Sequence, residues 1–131
     1  MLEDGRYVLQ LRDDKPDIWY PGHWGCFGGG ADPAEDPVAT LRRELREELA
    51  LAIEQPQFFM RLDFDLRPTG LGTCWRNYFV ARITDAALAG CSLGEGAAVG
   101  AHAVEALSRL RLVPYDAFAL FLHSQRERIS R

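Results

Sequence analysis

Cysteine is scarce in this chain. Cys26, Cys74 and Cys91 are odd in number, widely spaced and without a paired motif, which argues against a disulfide framework and a cysteine zinc site. A reducing cytoplasm is the expected location. Long apolar runs are missing too: no stretch approaches the roughly 20 apolar residues of a membrane span. The opening MLEDGRYVLQLRDD lacks the basic flank and apolar core of a signal peptide. Positive charge is in deficit, 15 Lys and Arg against 19 Asp and Glu for a net charge of −4, so no basic surface is supplied for a nucleic-acid polymer or an anionic membrane. Internal repeats and low-complexity tracts are absent as well.

What is present is enough for one core, since 47% of 131 residues are apolar. The most informative stretch is 28–51, GGGADPAEDPVATLRRELREELAL. Asp36 before Pro37 marks a helix start, because aspartate accepts from orphan amides and proline fits the first helical position. The helix is expected to run to about Leu49. Val38, Leu41, Leu45 and Leu49 form its apolar stripe, and Glu44, Glu47 and Glu48 project from another face. Like charges at those spacings cost a few tenths of a kcal/mol per pair, about what a bound cation would offset many times over. Oxygen ligands suit Mg²⁺ or Mn²⁺. A run such as RELREEL alone reads equally as a solvated, ion-paired face.

The longer spacing resembles the signature box of the Nudix hydrolases, in which glycine, glutamate, arginine, three further glutamates and two aliphatics stand at fixed intervals. Gly29, Glu35, Arg43, Glu44, Leu45, Glu47, Glu48 and Leu51 fill those places. Ala50 departs from the pattern where the family has glycine, at a position where a left-handed backbone is wanted and alanine is strained. The resemblance implies a MutT-like α/β/α sandwich with a mixed β-sheet and a single Nudix domain over residues 1–131. Nudix chains commonly carry a strand before the first one here, so a missing N-terminal strand is expected, with an exposed sheet edge that another copy could cover as a homodimer.

The implied activity is Mg²⁺-dependent hydrolysis of the pyrophosphate in a nucleoside diphosphate linked to another moiety: a nucleoside triphosphate, a nucleotide sugar or an ADP-ribose-like compound. Glu44, Glu47 and Glu48 are the expected metal ligands, with a glycine carbonyl at Gly28 or Gly29. Arg43 is expected to orient Glu47 or Glu35. Glu95, beside Gly96 in a loop, joins the metal site or takes the proton from water. Glu47 and Glu48 are also eligible for that proton. Glu105 and Asp85 are weaker candidates. The alternatives are a catalytically silent Nudix-fold nucleotide-binding or regulatory module, and a structural protein whose acidic helix pairs only with Arg42, Arg43 and Arg46.

Elsewhere, 6–12 alternates as a strand with Tyr7, Leu9 and Leu11 on one side. The segment 15–25, KPDIWYPGHWG, reads as a loop entering a short strand at Cys26-Phe27. Trp19 and Tyr20 are candidates for stacking on a base, Trp24 for core packing, and His23 for hydrogen bonding. Residues 57–83 read as a hairpin with Phe58, Met60, Leu62, Phe64 and Leu66 on the buried face, and with Arg76 and Asn77 near a ligand. Residues 84–100 read as a loop, HAVEALSRL as a short helix, and 114–129 as one helix burying Phe118, Phe121, Leu122 and Ile129.

Overall fold

The computed structural model describes residues 1–130, among which there are five strands and four α-helices. The strands are β1 (Tyr7–Leu11), β2 (Trp24–Gly25), β3 (Gln57–Asp65), β4 (Thr73–Val80) and β5 (Ala98–His102). The helices are α1 (Pro37–Leu49), α2 (Asp85–Ala89), α3 (Pro114–Ser124) and α4 (Arg126–Ile129). They form a mixed α and β architecture with two antiparallel sheets, ordered β2-β1-β5 and β3-β4. Parallel pairing is confined to single bridges, Leu2 with Ile83 and Trp24 with Leu112.

β1 is central because its alternation serves two sides. Tyr7 and Leu9 enter a core with Leu107 and Leu120, against which Trp24 and Leu112 pack. The other side carries Gln10, buried although polar. The short strand anticipated at Cys26-Phe27 falls two residues earlier, at Trp24–Gly25, where the Trp24 amide donates to the Arg111 carbonyl and the Trp24 carbonyl accepts from Val113. The hairpin is confirmed, but a bulge between Phe58 and Met60 shifts its register. Phe59 then turns inward to meet the His123 ring at 5.1 Å, leaving Phe58 exposed. β4 stops at Val80, short of the anticipated Ile83.

Two further expectations need correction. Residues 84–100 are not all loop: Thr84 caps α2, and β5 begins at Ala98. The C-terminal helix is broken at Gln125, and its buried face is Tyr115, Asp116, Ala119, Leu120 and His123. Phe118, Phe121 and Ile129 face outward at half exposure or more. Residues 104–109, within HAVEALSRL, form a 3-10 turn.

His123 makes the fold sensitive to acid. Its Nδ1 and the Tyr7 hydroxyl share a 2.8 Å hydrogen bond, and burial, helped by the Arg126 charge, pushes its pKa down to about 4 from 6.5. Between those values the unfolded chain takes a proton that the fold refuses, so stability is whole above about pH 6.5 and declines as pH falls toward 4. Melting followed from pH 7.5 to 4.5 should display this decline, and His123→Gln should reduce it.

α1 starts as expected: the Asp36 carboxylate accepts from the Val38 and Ala39 amides at 2.9 and 3.1 Å. It ends at Ala50, which adopts the left-handed conformation (φ 52°, ψ 29°) while its amide returns to Arg46 and Leu45. A Cβ in that region costs about 1 kcal/mol. Ala50→Gly is therefore expected to stabilise the protein by about that amount, measurable by urea denaturation.

Candidate active site

α1 lies along a cavity of about 780 Å³ whose walls include Gln10, Arg12 and Lys15 on one side, the Gly28–Gly30 turn, and residues 73–79 of β4 on the other. Among the described residues β4 pairs only with β3, which leaves its second edge to face this space. Glu44, Glu48 and Glu95 all line it. Leu45 and Leu49 are buried on the core flank of α1, fixing the helix so that Glu44 and Glu48 point into the cavity.

Glu48 is 5% exposed. Its Oε2 accepts from the Gly28 amide at 3.0 Å, and its Oε1 faces the Gln10 amide nitrogen at 3.5 Å. Burial pushes its pKa up to about 7; the Gly28 amide opposes this, and the Glu44 and Glu95 charges add to it. No cationic side chain pairs with it among the described residues. This buried and electrically uncompensated carboxylate, with two others close enough to press on it, is the donor chemistry that a hard divalent cation fits. Gly29 supports the fit, because a Cβ there would overlap the Glu44 carboxylate.

Arg43 is the organiser of the outer carboxylates. Its Nε and Nη2 reach both Glu35 oxygens at 3.1 and 3.0 Å, Nη2 also donates to the Gly30 carbonyl at 2.8 Å, and Nη1 donates to Glu44 and Glu47 at 2.7 and 3.2 Å. The forked guanidinium suits several acceptors at once. It draws the Glu35 pKa down to about 2, aided by the Asp32 amide. Glu47 is the outlier: its carboxylate is 59% exposed, held by Arg43, and outside the cavity wall. Among the described residues no three acidic, histidine or cysteine side chains already converge as a ligand set.

The far end of the cavity is polar. Asp116 is 4% exposed and accepts from the Cys26 amide at 2.9 Å and the Tyr78 hydroxyl at 2.8 Å. Burial raises its pKa, while those two donors lower it. Arg76 lies over the Tyr115 ring at 4.4 Å and donates to its hydroxyl at 3.1 Å, yet its buried Nε has no acceptor among the described residues. Arg76 and Asn77 both line the cavity.

Trp19 and Tyr20 do not reach it. The Trp19 carbonyl accepts from Arg12, and Tyr20 packs edge-on against His23 and Tyr115 at 5.6 and 5.7 Å. The loop is thereby closed on its own frame, and the aromatics that do line the cavity are Phe27, Trp75, Tyr78 and Phe79. Asp85 pairs with Arg6 at 2.8 Å, and Glu105 sits in the 3-10 turn, both away from the cavity. Gln10, Tyr78 and Asp116 escaped the sequence reading. A glutamine in a strand and an aspartate in a helix's first turn look ordinary until burial is known.

The class these features define is a mixed α and β domain with an acidic helix set across a cleft between two sheets. A family model described as NUDIX domain matches residues 1–129, and the chain belongs to that family. Its fold is MutT-like. It is similar to a MutT NUDIX hydrolase from Burkholderia pseudomallei, with a TM-score of 0.75 and 26% identity over 90% of this chain and 88% of that one. The NUDIX domain of Shewanella oneidensis NrtR, solved with ADP ribose, superposes with a TM-score of 0.75 at 18% identity, covering 92% and 77% of the two chains, a likeness of fold alone. A 47-residue stretch is 47% identical to nucleoside triphosphatase NudI of Escherichia coli, covering 35% of this chain. The chain matches about a third of the length of those curated relatives, 32%.

Proposed function

We propose that the protein hydrolyses the pyrophosphate linkage of a nucleoside diphosphate attached to another moiety, with Mg²⁺ or Mn²⁺ as cofactor. The observation that carries this reading is Glu48, a buried carboxylate without a cationic partner, sharing one cavity with Glu44 and Glu95. Glu44 and Glu48, with the Gly29 carbonyl, would hold the ion, and Glu44 would exchange part of its Arg43 contact for it. A divalent ion supplies charge neutralisation at the phosphates and acidifies bound water. Glu95, which lines the same cavity, would take the proton from the attacking water or complete the ion's shell. Glu47 is supported only as a peripheral ligand, because it faces solvent. Arg43 would offset the mutual repulsion of Glu35, Glu44 and Glu47 and keep them from turning away.

Arg76 supports a substrate with an acceptor group deep in the cleft. A buried guanidinium nitrogen without a partner is costly unless a ligand satisfies it. The cavity has room for a nucleotide, and a divalent ion would offset the repulsion between its phosphates and a chain of net charge −4. A panel of nucleoside triphosphates, nucleotide sugars and ADP-ribose-like compounds, assayed with Mg²⁺ and analysed for products, tests the reading. Release of a nucleoside monophosphate or pyrophosphate supports it. Failure across the panel, together with no Mn²⁺ uptake by calorimetry, overturns it.

A further inference from the structure

The loop that carries Glu95 is fastened to the box helix. The Ser92 and Gly94 amides donate to the Leu49 and Glu48 carbonyls at 3.0 and 2.8 Å, and the Ala97 amide donates to the Leu11 carbonyl at 2.8 Å. Those helix carbonyls belong to the last turn of α1, which has no amide of its own to offer them. The loop therefore serves as the helix's C-terminal cap, and its geometry is tied to that of Glu48.

One side chain joins the two carboxylate-bearing segments directly. Gln10, 5% exposed on β1, donates from Nε2 to the Glu95 carbonyl at 2.9 Å and lies 3.5 Å from Glu48 Oε1. Gly96 has φ +88° and stands so close that a Cβ would come within 2.8 to 3.0 Å of the Gln10 side chain. The residue type matters at this point. A glutamate would repel Glu48, and an aliphatic chain of equal length would fill the space but leave the Glu95 carbonyl unbonded and Glu48 without a lateral donor.

We propose that Gln10 is a positioning residue that sets Glu95 against Glu48, so that the loop carboxylate and the helix carboxylate face the cavity at a fixed separation. The proposal rests on the hydrolytic reading above for its catalytic consequence, but the tether itself is independent of that reading. Gln10 bonds to the backbone beside Glu95 rather than to its carboxylate, so the loop is held while the carboxylate stays free for an ion, water or proton. Backbone bonds at Ser92, Gly94 and Ala97 fix the two ends of the loop, and Gln10 fixes its middle.

The test uses the full chain carrying Gln10→Met, which keeps length and removes the donor, and Gly96→Ala, which pushes on the same contact from the loop side. Amide hydrogen exchange at residues 92–97, Mn²⁺ binding by calorimetry, and kcat and KM on the best panel substrate are compared with the parent chain. Faster exchange at residues 95–97, Mn²⁺ affinity lowered about 10- to 100-fold, and a fall in kcat with KM little changed are expected in both variants. Unchanged exchange, affinity and kcat in variants that melt like the parent overturn the proposal. Should Gln10→Met fail to fold, Gln10→Leu decides in its place, because the left-handed backbone at Gly96 strains an alanine whether or not Gln10 is the tether. A parent chain that neither binds Mn²⁺ nor turns over substrate defeats the hydrolytic reading, whereas the exchange comparison still decides the tether.

Discussion

Glu48→Gln is expected to lower Mg²⁺-dependent turnover about a thousand-fold or more, a loss of several kcal/mol of transition-state stabilisation. In metal-free buffer its melting temperature should stay the same or rise. The two halves of this result have one cause. Glu48 is enclosed by Gly28, Gln10 and the core flank of α1, and it faces two other carboxylates with no cation beside it, so its charge burdens the fold. Glutamine has the same outline and carries no charge. The variant thus separates the needs of folding from those of chemistry. Turnover equal to that of the parent chain would remove Glu48 from the site, and a large loss of stability would mean that it holds the fold instead.

Leu9→Ala is expected to act in the opposite way, through stability alone. Leu9 is 1% exposed on the central strand and packs in the cluster formed with Tyr7, Leu107 and Leu120. Removing three carbons there leaves a hole that the paired neighbours β2 and β5 cannot collapse to fill. The cost is about 2 to 5 kcal/mol, or about 10 °C in melting temperature for a domain of this size. Urea denaturation and thermal melting measure it. A loss below about 1 kcal/mol, the range of conservative core changes, would contradict the assigned core. Because Leu9 points away from the cavity, Mg²⁺-dependent kcat per folded molecule should be retained at low temperature.

α1 was legible in the sequence because its signals are local: Asp36 and Pro37 at the start, an apolar stripe at helical spacing, and acidic residues on the facing side. The glutamates' partition was not. Glu44, Glu47 and Glu48 share a helical face, yet 100° per residue spreads them enough that Glu48 is buried and Glu47 is left to solvent and Arg43. β5 was hidden because AVGAH offers small residues and a glycine instead of the alternating bulky pattern of a half-buried strand. The buried side of α3 was misread because its phenylalanines are conspicuous, whereas the inward face mixes Tyr115, Asp116 and His123 with small and aliphatic residues. Burial of polar groups depends on partners distant in the chain, Tyr78 for Asp116 and Tyr7 for His123, and no local pattern encodes such pairings.

Among the described residues the two sheets share no ladder, and the β3-β4 sheet is fastened to α3 by side chains, Tyr78 on Asp116 and Arg76 on Tyr115, rather than to β1 by continuous backbone pairing. Those fastenings lie outside both ladders, so removing either side chain, as in Tyr78→Phe, leaves every strand register intact.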